Sequence, residues 1–382
     1  MPERPLVWLL SAYRSESHAS WVNWLSNQQD LPVRFRIFEL PGRYFRWRIR
    51  GNPLSWMAEF RDALRQECPH HILATSMVDI ATIKGLHPEL AGTPVTLYFH
   101  ENQFAYPVGD RQHSSIDPQM VQLYGALASE RCLFNSRFNL ESMLQGVAEL
   151  LRKLPDAVPD NVVDQLRAKS SVLPVPVDTV NIDTVTIDTT PEKIDSAPVI
   201  LWNHRWEYDK RPDRFEALLD AVGSRDIDFQ LALLGPRPSK VPVELSRIRT
   251  RYADCIIADG MVPRVEYEAL LKRAQVVVST ADHEFQGLSM IEAVSAGAIP
   301  VVPDALCYRE QYPDCCRYTP GDVDDAADRM TDALLNGQKV DISRWTTVST
   351  RELWRNLMTY FSLPAGVTEV TNGSNSWDFY TG

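Results

Sequence analysis

The chain has 382 residues, more than one ordinary hydrophobic core accommodates, and therefore predicts two domains. Its 44% hydrophobic and 23% charged residues are typical of a soluble globular protein. No apolar run approaches the roughly 20 residues of a membrane span, and the net charge of −11 argues against indiscriminate nucleic-acid binding. Six scattered cysteines without a C-x-x-C pair, and an N-terminus with too short an apolar stretch for a signal peptide, predict a cytoplasmic protein with reduced thiols.

Strand-like and helix-like segments alternate in the first half of the chain. Buried strands are predicted at 5–13, 33–40, 71–76, 94–102 and 132–136, with helices at 17–29 and near 117–129. This alternation is typical of a parallel α/β sheet. It predicts a first domain over residues 1–177.

A basic island interrupts this acidic chain: residues 31–65 hold eight arginines against three acidic residues. Within it, the segment 42–56 ("GRYFRWRIRGNPLSW") places Arg46 and Arg48 on either side of Trp47. Arginines and aromatic rings bind RNA by contacting phosphates and stacking on splayed bases. The alternative interpretation is an amphipathic edge strand, with Trp47 on the core face and the arginines in solvent.

A segment without helical period and with prolines at both ends follows at 172–198, and it predicts either a connection between domains or a short hairpin. We place the linker itself at 178–198. A second alternating set then predicts strands at 199–204, 229–235, 255–260, 276–280 and 299–303, with helices at 211–222, 242–253, 264–273 and 288–296. These elements predict a second doubly wound domain over 199–341.

The C-terminal segment, 342–382, begins with one or two amphipathic helices at 342–364. The last residues are predicted to be poorly ordered, although Trp377, Phe379 and Tyr380 are candidates for docking.

Two glutamates flank the predicted start of a helix in "HEFQGLSMIEA". A helix that begins near Gly287 directs the free N–H groups of Gly287, Leu288 and Ser289 toward the preceding loop, and such an end suits a phosphate. Glu284 and Glu292 are then at most about 12 Å apart, roughly the span from a sugar across a diphosphate to a ribose. One carboxylate is suited to the sugar hydroxyls and the other to the ribose. The alternative is an ordinary N-terminal acid and a surface glutamate.

Arg205 and Lys210 lie in the predicted turn after the first strand of the second domain. A guanidinium and an ammonium at this place are suited to neutralise a diphosphate leaving group, a role otherwise given to a divalent metal. The alternative is a solvated basic turn.

In the first domain, His100, Glu101 and Asn102 end a predicted strand. His100 is suited to hydrogen-bond a transferring sugar or to steady developing positive charge, and Glu101 is suited to orient or deprotonate an acceptor hydroxyl. A strand-end histidine satisfied by its neighbours is the alternative. Asn135 and Ser136, after the next strand, either bind hydroxyls or cap the following helix.

The order of Arg205, Lys210, "LLG", "GMVPRVEYEALLKRAQVVVST" and "EFQGLSMIEAVSAGAIPVV" resembles the nucleotide-sugar half of retaining GT-B glycosyltransferases, over about residues 199–303. The segments "YFHENQFAYP", "LFNSRFNLESM", "NHRWEYDKRPDRF" and "STADHEFQGLSMIEAV" together resemble the tRNA-queuosine α-mannosyltransferase family. Members of that family transfer mannose from GDP-mannose to the cyclopentenediol of queuosine in the tRNA anticodon.

The resemblance implies roles for individual residues. It implies diphosphate contacts for Arg205, Lys210 and the N–H groups of 287–289, sugar contact for Glu284 and ribose contact for Glu292. Relatives carry a glycine pair before Ser-His in the first strand-to-helix loop, whereas this chain has Arg-Ser-Glu at 14–16. This departure puts close approach of the loop backbone to the donor in doubt. Ser17 and His18 remain candidates for contact with the donor. For Ser17, the alternative is a helix N-cap.

We therefore expect a cytoplasmic, metal-independent retaining glycosyltransferase of GT-B fold, with two Rossmann-like doubly wound domains facing a cleft. The first domain takes the acceptor, the second takes the nucleotide-sugar, and the C-terminal segment returns toward the first. The expected catalytic residues are His100, Glu101 and Glu284, and the expected acceptor contacts are Arg43, Arg46, Trp47, Arg48, Asn102 and Asn135. The expected partners are GDP-mannose and queuosine-containing tRNA, with no membrane.

Other functions remain open on the residues alone. The same fold serves transfer to a glycan, a lipid or a small molecule, a sugar-nucleotide epimerase, or a catalytically silent tRNA-binding module. No residue distinguishes guanine from uracil or mannose from glucose, and the oligomeric state is not predicted.

Overall fold

The computed structural model describes residues 4–28, 30–106, 115–180, 197–238, 241–363 and 378–380. The chain forms two compact units: one comprises Met1–Pro176 with Thr350–Gly382, and the other comprises Val177–Ser349. Of the predicted linker, residues 181–196 lie outside the described residues. Within the described ranges, no helix combines the length and the apolar character needed to cross a bilayer.

The first unit is built on a parallel six-stranded sheet with the order β2-β1-β3-β4-β5-β6. Its strands are β1 (Leu6–Arg14), β2 (Arg34–Pro41), β3 (His71–Thr75), β4 (Val95–Phe99), β5 (Arg131–Phe134) and β6 (Ser170–Val172). Strands β3 and β4 are buried along their whole length, because helices cover both faces of a parallel sheet.

The helices of this unit are α1 (Glu16–Ser26), α2 (Phe45–Ser55), α3 (Met57–Gln66), α4 (Ile80–Leu86), α5 (Asp117–Ala128), α6 (Arg137–Leu151) and α7 (Val162–Ala168). Large aromatic side chains fill the space between sheet and helices. The Trp8 ring contacts both Phe38 and Phe60, with ring centroids 4.8 Å and 4.9 Å apart.

The second unit is built on a second parallel six-stranded sheet, with the order β12-β11-β10-β7-β8-β9. Its strands are β7 (Val199–Asn203), β8 (Gln230–Leu234), β9 (Ile256–Gly260), β10 (Ala274–Val278), β11 (Ile299–Pro303) and β12 (Arg317–Tyr318). Its helices are α8 (Pro212–Gly223), α9 (Val243–Arg251), α10 (Arg264–Arg273), α11 (Leu288–Ser295), α12 (Tyr308–Gln311) and α13 (Val323–Asn336). The apolar side chains of α8 and α13 pack on this sheet around Trp202 and Phe215.

Helix α14 (Thr347–Phe361) carries the chain from the second unit into the first. Its Trp354 packs against Trp21 and Tyr98 of the first unit and donates its indole N–H to the carbonyl of Pro174 at 2.9 Å. Phe379 is also buried there, and its backbone N–H donates to the carbonyl of Val172, whereas Trp377 lies outside the described residues.

The segment 42–56 differs from the edge strand considered above, because it forms helix α2. Three of its neighbouring side chains show the difference: Trp47 is 50% exposed, whereas Arg48 and Ile49 are buried. Alternation of aromatic and arginine residues is compatible with either element. In this chain the packing of Ile49 and Asn52 on the unit decides in favour of the helix, with the Asn52 amide donating to the carbonyl of Met77 at 3.1 Å.

Candidate active site

In each parallel sheet, the loops that follow the strands gather at one edge, where α/β folds bind their ligands. In the second unit, β7 and β10 are neighbours in the sheet. The loop after β7, which carries Arg205 and Lys210, therefore lies beside the loop after β10, which carries Glu284. The fold brings these three predicted site residues to one edge.

Backbone contacts fasten the two loops together. The Thr280 hydroxyl donates to the carbonyls of Lys210 and Arg211 at 2.9 Å and 3.0 Å. The backbone N–H of Asp282 donates to the carbonyl of Asp209 at 2.8 Å. These bonds fix the position of the Lys210 backbone, and they were not predicted from the sequence, because a threonine at a strand end has many uses.

Lys210 is a buried cation surrounded by oxygen acceptors. Its Nζ donates to Glu284 Oε2 at 3.1 Å and to the carbonyl of His283 at 2.7 Å, and the Asp209 carboxylate lies 3.3 Å away. Burial by itself lowers the pKa of Lys210, but the Glu284 and Asp209 carboxylates outweigh it and raise this pKa above its ordinary value. Lys210 therefore stays protonated and is suited to bind an anion.

Glu284 is the partner of this cation. Burial raises the pKa of its carboxyl, yet the attraction of Lys210 outweighs burial and lowers this pKa to about 2. Nearby, burial is the main cause that lowers the pKa of His204 and of His283 to about 4, with Lys210 contributing to both. At neutral pH the Glu284 carboxylate is therefore ionised, and the imidazoles of His204 and His283 beside it are neutral.

Arg205 is exposed at the rim of this cluster. Its Nη1 donates to Glu207 Oε2 at 2.7 Å. Its charge acts on Lys210 and opposes the raised pKa of that ammonium. Both cations lie in the loop after β7, at the edge of the sheet where Glu284 also lies.

Helix α11 starts immediately after this loop. Gly287 is its N-cap in the left-handed conformation, with φ 67°, and no side chain caps the end. Gly287 is itself buried, while Leu288 and Ser289 are partly exposed. The first-turn N–H groups of 287–289 and the positive end of the helix dipole thus lie beside Lys210 and Glu284, an arrangement that binds phosphate groups.

Glu292, on α11, is held by two side chains of α10. Its Oε1 accepts from Arg264 Nη1 at 3.1 Å, and its Oε2 accepts from the Tyr267 hydroxyl at 2.9 Å. The Asn203 amide at the end of β7 donates to Tyr267 at 3.3 Å and to the carbonyl of Ser289 at 2.9 Å. Asn203, Arg264 and Tyr267 were not predicted as site residues from the sequence, because their hydrogen bonds around Glu292 depend on the packing of α10 on α11.

In the first unit, the end of β4 and the start of α1 bring two histidines together. The rings of His18 and His100 lie 4.2 Å apart between centroids, and Trp21 contacts the His100 ring edge to face. His18 Nδ1 donates to the carbonyl of Tyr13 at 2.6 Å. Burial lowers the pKa of His18 to about 4, although the hydrogen bond that His18 donates to the Tyr13 carbonyl opposes this shift. Burial also holds the pKa of His100 well below its usual range, so both histidines are neutral at pH 7.

The neighbours of His100 have structural partners. The Asn102 side chain is fully buried, donates to Asn139 and Ser142, and accepts from the backbone N–H groups of 104 and 105. The Asn135 amide donates to the carbonyl of His100 at 2.8 Å. Glu101 is partly exposed, and its own carbonyl accepts from Ser76 at 3.0 Å. These bonds set the backbone of the strand end, and contact of Asn102 and Asn135 with an acceptor stays a prediction.

The first residues of two helices show whether Ser136 and Ser17 are N-caps. Ser136 caps α6, since its hydroxyl accepts from the backbone N–H of Asn139 at 3.0 Å. Ser17 does not cap α1, because that helix begins at Glu16, and its hydroxyl instead lies 3.2 Å from that of Ser15. Ser17 remains a partly exposed candidate in the first turn of the helix.

The basic island surrounds the start of α2. Arg43, Arg46 and Trp47 are exposed there, and Arg43 lies over the Tyr44 ring, 5.6 Å from its centroid. Arg48 is only 9% exposed and is directed into the unit, so its expected role as a solvent-facing acceptor contact has little support from its position.

Comparisons with known proteins agree with this architecture. A family model described as tRNA-queuosine alpha-mannosyltransferase N-terminal matches residues 6–177. A curated protein of Drosophila melanogaster, named tRNA-queuosine alpha-mannosyltransferase, is 32% identical over 282 residues, which cover 72% of this chain and 74% of the relative.

Solved structures of similar fold include a galactosyltransferase and a trehalose-phosphate synthase. The apo form of lipopolysaccharide outer core galactosyltransferase WaaB superposes with a TM-score of 0.61 at 14% identity, over 94% of this chain and 99% of that one. A UDP-forming trehalose-phosphate synthase from Burkholderia xenovorans superposes with a TM-score of 0.64 at 14% identity, over 96% of this chain and 100% of that one. Anabaena HepE in complex with UDP superposes with a TM-score of 0.58 at 14% identity, over 94% of this chain and 97% of that one. The predicted GT-B fold is thereby confirmed.

Proposed function

This chain belongs to the tRNA-queuosine alpha-mannosyltransferase family, and from this premise we propose that it transfers mannose from GDP-mannose to the cyclopentenediol of queuosine in the tRNA anticodon. That it is a glycosyltransferase follows from the family. The specific donor and acceptor are the proposal. The family membership supports this choice of donor and acceptor, and the observation that carries the transfer chemistry is the buried Lys210 ammonium, held by Glu284 at 3.1 Å next to the N-terminus of α11.

This cluster supports binding of a sugar diphosphate. Lys210 and Arg205 offer two positive charges, and the first turn of α11 offers N–H donors, so these groups together are suited to neutralise a diphosphate. Glu284 is ionised and accepts hydrogen bonds, which suits sugar hydroxyls. Glu292 is suited to the ribose hydroxyls, because Arg264 and Tyr267 hold its carboxylate in one orientation.

The transfer proceeds by front-face attack in this proposal. The acceptor hydroxyl attacks the anomeric carbon as the bond to the diphosphate breaks, and its proton passes to the departing phosphate oxygen. Arg205, Lys210 and the end of α11 stabilise the negative charge that develops on the leaving nucleotide. The configuration at the anomeric carbon is retained, and no carboxylate nucleophile is required.

The first unit supplies the acceptor side in this proposal. His100 is neutral at pH 7 and is suited to hydrogen-bond the transferring sugar, while Glu101 is suited to orient the acceptor hydroxyl. Ser17 and His18 are the donor contacts expected from the same unit. The exposed arginines of the basic island, Arg43 and Arg46, supply charge for the tRNA backbone.

We further propose that the reaction needs no divalent metal and that it takes place in the cytoplasm, where the tRNA substrate is found. Two side-chain cations and a helix terminus take the place of the metal. We expect the initial rate of transfer to stay within about twofold when a chelator is added, with a magnesium-dependent phosphatase as the control for chelation. A loss of transfer that added magnesium restores would contradict metal independence.

The whole proposal is tested by incubating the protein with labelled sugar nucleotides and tRNA, with and without queuosine. Label from GDP-mannose should enter queuosine-containing tRNA only, and UDP-glucose and UDP-galactose should be poor donors. Label in tRNA that lacks queuosine, or transfer to a simple sugar acceptor in the absence of tRNA, would contradict the acceptor. Faster transfer from a UDP-sugar would contradict the donor.

A further inference from the structure

Helix α2 carries an exposed indole that lies flat on its own helix. Trp47 is 50% exposed, although it belongs to a well-packed element whose Ile49 and Trp56 are buried. A Cβ built on Gly51, one turn later, would stand 2.5 Å from Cε2 and 2.7 Å from both Cδ2 and Cζ2 of the Trp47 ring. Two of these atoms form the bond shared by the two rings, so the contact is with the face of the indole and not with its edge.

This arrangement depends on a glycine at a place where a helix disfavours one. Glycine in a helix interior is less favourable than alanine by about 1 kcal/mol. An alanine at Gly51 would displace the indole, because 2.5 Å is far below van der Waals contact. Gly51 thus lets one face of the ring lie on the helix backbone, while half of the Trp47 surface stays exposed.

Exposed arginines lie next to Trp47 in the chain. Arg43 and Arg46, on the same turn of the chain, are exposed, and the ring of Tyr44, beside Arg43, is 70% exposed. Tyr44 adopts the left-handed conformation, with φ 56° and ψ 53°, which is uncommon for a residue with a side chain. A flat aromatic face between cations is the arrangement that binds single-stranded nucleic acid, because bases stack on the ring and phosphates pair with the arginines.

Helix α2 is also tied to the end of β1, directly before helix α1, which carries His18. The Phe45 ring lies 6.0 Å from that of Tyr13, whose carbonyl accepts the hydrogen bond from His18. Gly42 lies against the backbone of Arg14 at the end of β1, where a Cβ would come within 2.5 Å of the carbonyl oxygen. The start of α2 and the His18–His100 pair are therefore connected by short contacts in the same unit.

We propose that the outward face of Trp47 is a stacking platform for an unpaired base of the RNA acceptor, and that Gly51 is the positioning residue that keeps the platform flat. This inference rests on the proposed function for the choice of RNA. It adds the face of the Trp47 ring that takes the base and the role of Gly51 in holding that ring.

The test measures the dissociation constant of a labelled anticodon stem-loop RNA at fixed salt. Trp47→Ala should weaken binding by about 5- to 100-fold, the usual effect of removing one stacking ring, and Trp47→Phe should retain most of the affinity. Leu54→Ala is the matched control, since Leu54 is an apolar side chain of the same helix that is 60% exposed, and it should leave the dissociation constant unchanged.

A double-mutant cycle tests the role of the glycine. Gly51→Ala should weaken RNA binding in the wild-type background but have no further effect when Trp47 is already alanine, because no ring is left to displace. The melting temperature of each variant shows that helix α2 is folded. Equal weakening by Gly51→Ala with and without the indole would overturn the positioning role, and an unchanged constant for Trp47→Ala would overturn the platform.

The transfer assay separates this inference from the proposed function. Mannosyl transfer by a wild-type protein whose RNA affinity does not depend on Trp47 would overturn the platform and leave the function standing. Trp47-dependent RNA binding without any mannosyl transfer would support the platform and overturn the function. A wild-type protein that does not bind the stem-loop at all would overturn the platform.

Discussion

Lys210 is the residue on which the proposed chemistry depends most. Its ammonium is buried, and three oxygen groups surround it, from Glu284, Asp209 and the carbonyl of His283. A buried charge is tolerated only when it is paired, and here the pairing also keeps the ammonium protonated. The same ammonium that stabilises the loops is thus available to a diphosphate.

Replacing this ammonium should slow transfer without affecting RNA binding. Lys210→Met is expected to lower kcat by roughly a hundredfold to a thousandfold, the usual cost of removing one group that stabilises developing negative charge. The dissociation constant for tRNA should stay within twofold. Arg225→Met is the matched control, since Arg225 is a cation of the same unit that pairs with Asp328, away from the Lys210 cluster, and its kcat should match the wild type.

Because the Met variant leaves two carboxylates without their cation, Glu284→Gln provides a second test with little loss of volume. It removes the negative charge on the sugar side and should also slow transfer. A Lys210→Met protein with wild-type melting temperature and wild-type kcat would contradict the role of the cation.

Buried histidines give the protein a predictable dependence on pH. Burial lowers the pKa of His18 from 6.5 to about 4, so between these values the unfolded chain binds a proton that the folded chain does not. Stability therefore rises with pH across this window, and this one group accounts for roughly 3 kcal/mol. His18→Gln should reduce the pH dependence of the free energy of unfolding between pH 6.5 and 4.5, measured by urea denaturation. An unchanged dependence would show that His18 is not buried in its neutral form.

At the scale of elements, the start of α11 combines a conformational requirement with a binding role. Gly287 has φ 67°, and a side chain there is strained by about 1–2 kcal/mol. Gly287→Ala should therefore lower stability and also weaken donor binding by about tenfold, since the turn that presents the first N–H groups is distorted.

Gly321 offers a matched control for this substitution. It too has a positive φ, 84°, but a Cβ there meets nothing within 4 Å. Gly321→Ala should cost a similar amount of stability and leave the affinity for the sugar nucleotide unchanged, as measured by calorimetry. Equal donor affinities for the two variants would contradict the role of the helix start.

Helix α2 gives the second prediction at this scale. Arg43→Ala with Arg46→Ala should weaken tRNA binding and flatten the dependence of log K on log salt by about 1–2, because each phosphate contact releases counterions. The control pairs two exposed arginines of the same unit outside the basic island, Arg152→Ala with Arg351→Ala, and should leave the slope unchanged. Arg48 is not part of this test, because its burial would make the substitution a test of folding.

For the whole molecule, hydrophobic runs of five to nine residues were enough to predict five of the six strands in each sheet, and the short edge strands β6 and β12 were not predicted. Strands such as His71–Thr75 and Val199–Asn203 are buried on both faces, so their apolar character is visible in the sequence. The segment 45–55 was harder, because alternation of aromatic and arginine residues suits a strand as well as a helix. Only packing against the rest of the unit distinguishes the two.

The site was predictable where a motif names the residue, and not where packing makes the contact. Lys210 and Glu284 were predicted as candidate site residues from their positions after strands, and in the structure Lys210 Nζ lies 3.1 Å from Glu284 Oε2. Tyr267 and Asn203 were not predicted, since each hydrogen-bonds to a residue of α11 that is far from it in the sequence. The conformation of Gly51 under an indole is equally invisible in a sequence.

The return of the chain into the first unit is the largest feature that a single substitution can test. Trp354 of α14 is buried against Trp21 and Tyr98, so Trp354→Ala should destabilise this unit by about 3–5 kcal/mol. Urea denaturation checks it, with exposed Val348→Ala at the start of the same helix as the control. A loss below about 1 kcal/mol would show that the helix does not stabilise the unit.

The central claim is most directly tested by the mass of the modified nucleoside. Queuosine-containing tRNA is incubated with GDP-mannose and the protein, digested to nucleosides and analysed by mass spectrometry. The account predicts that queuosine gains the mass of one hexose and that the Lys210→Met protein leaves it unmodified. Queuosine that keeps its mass under these conditions, while another nucleoside or a non-RNA acceptor gains the hexose, would contradict it.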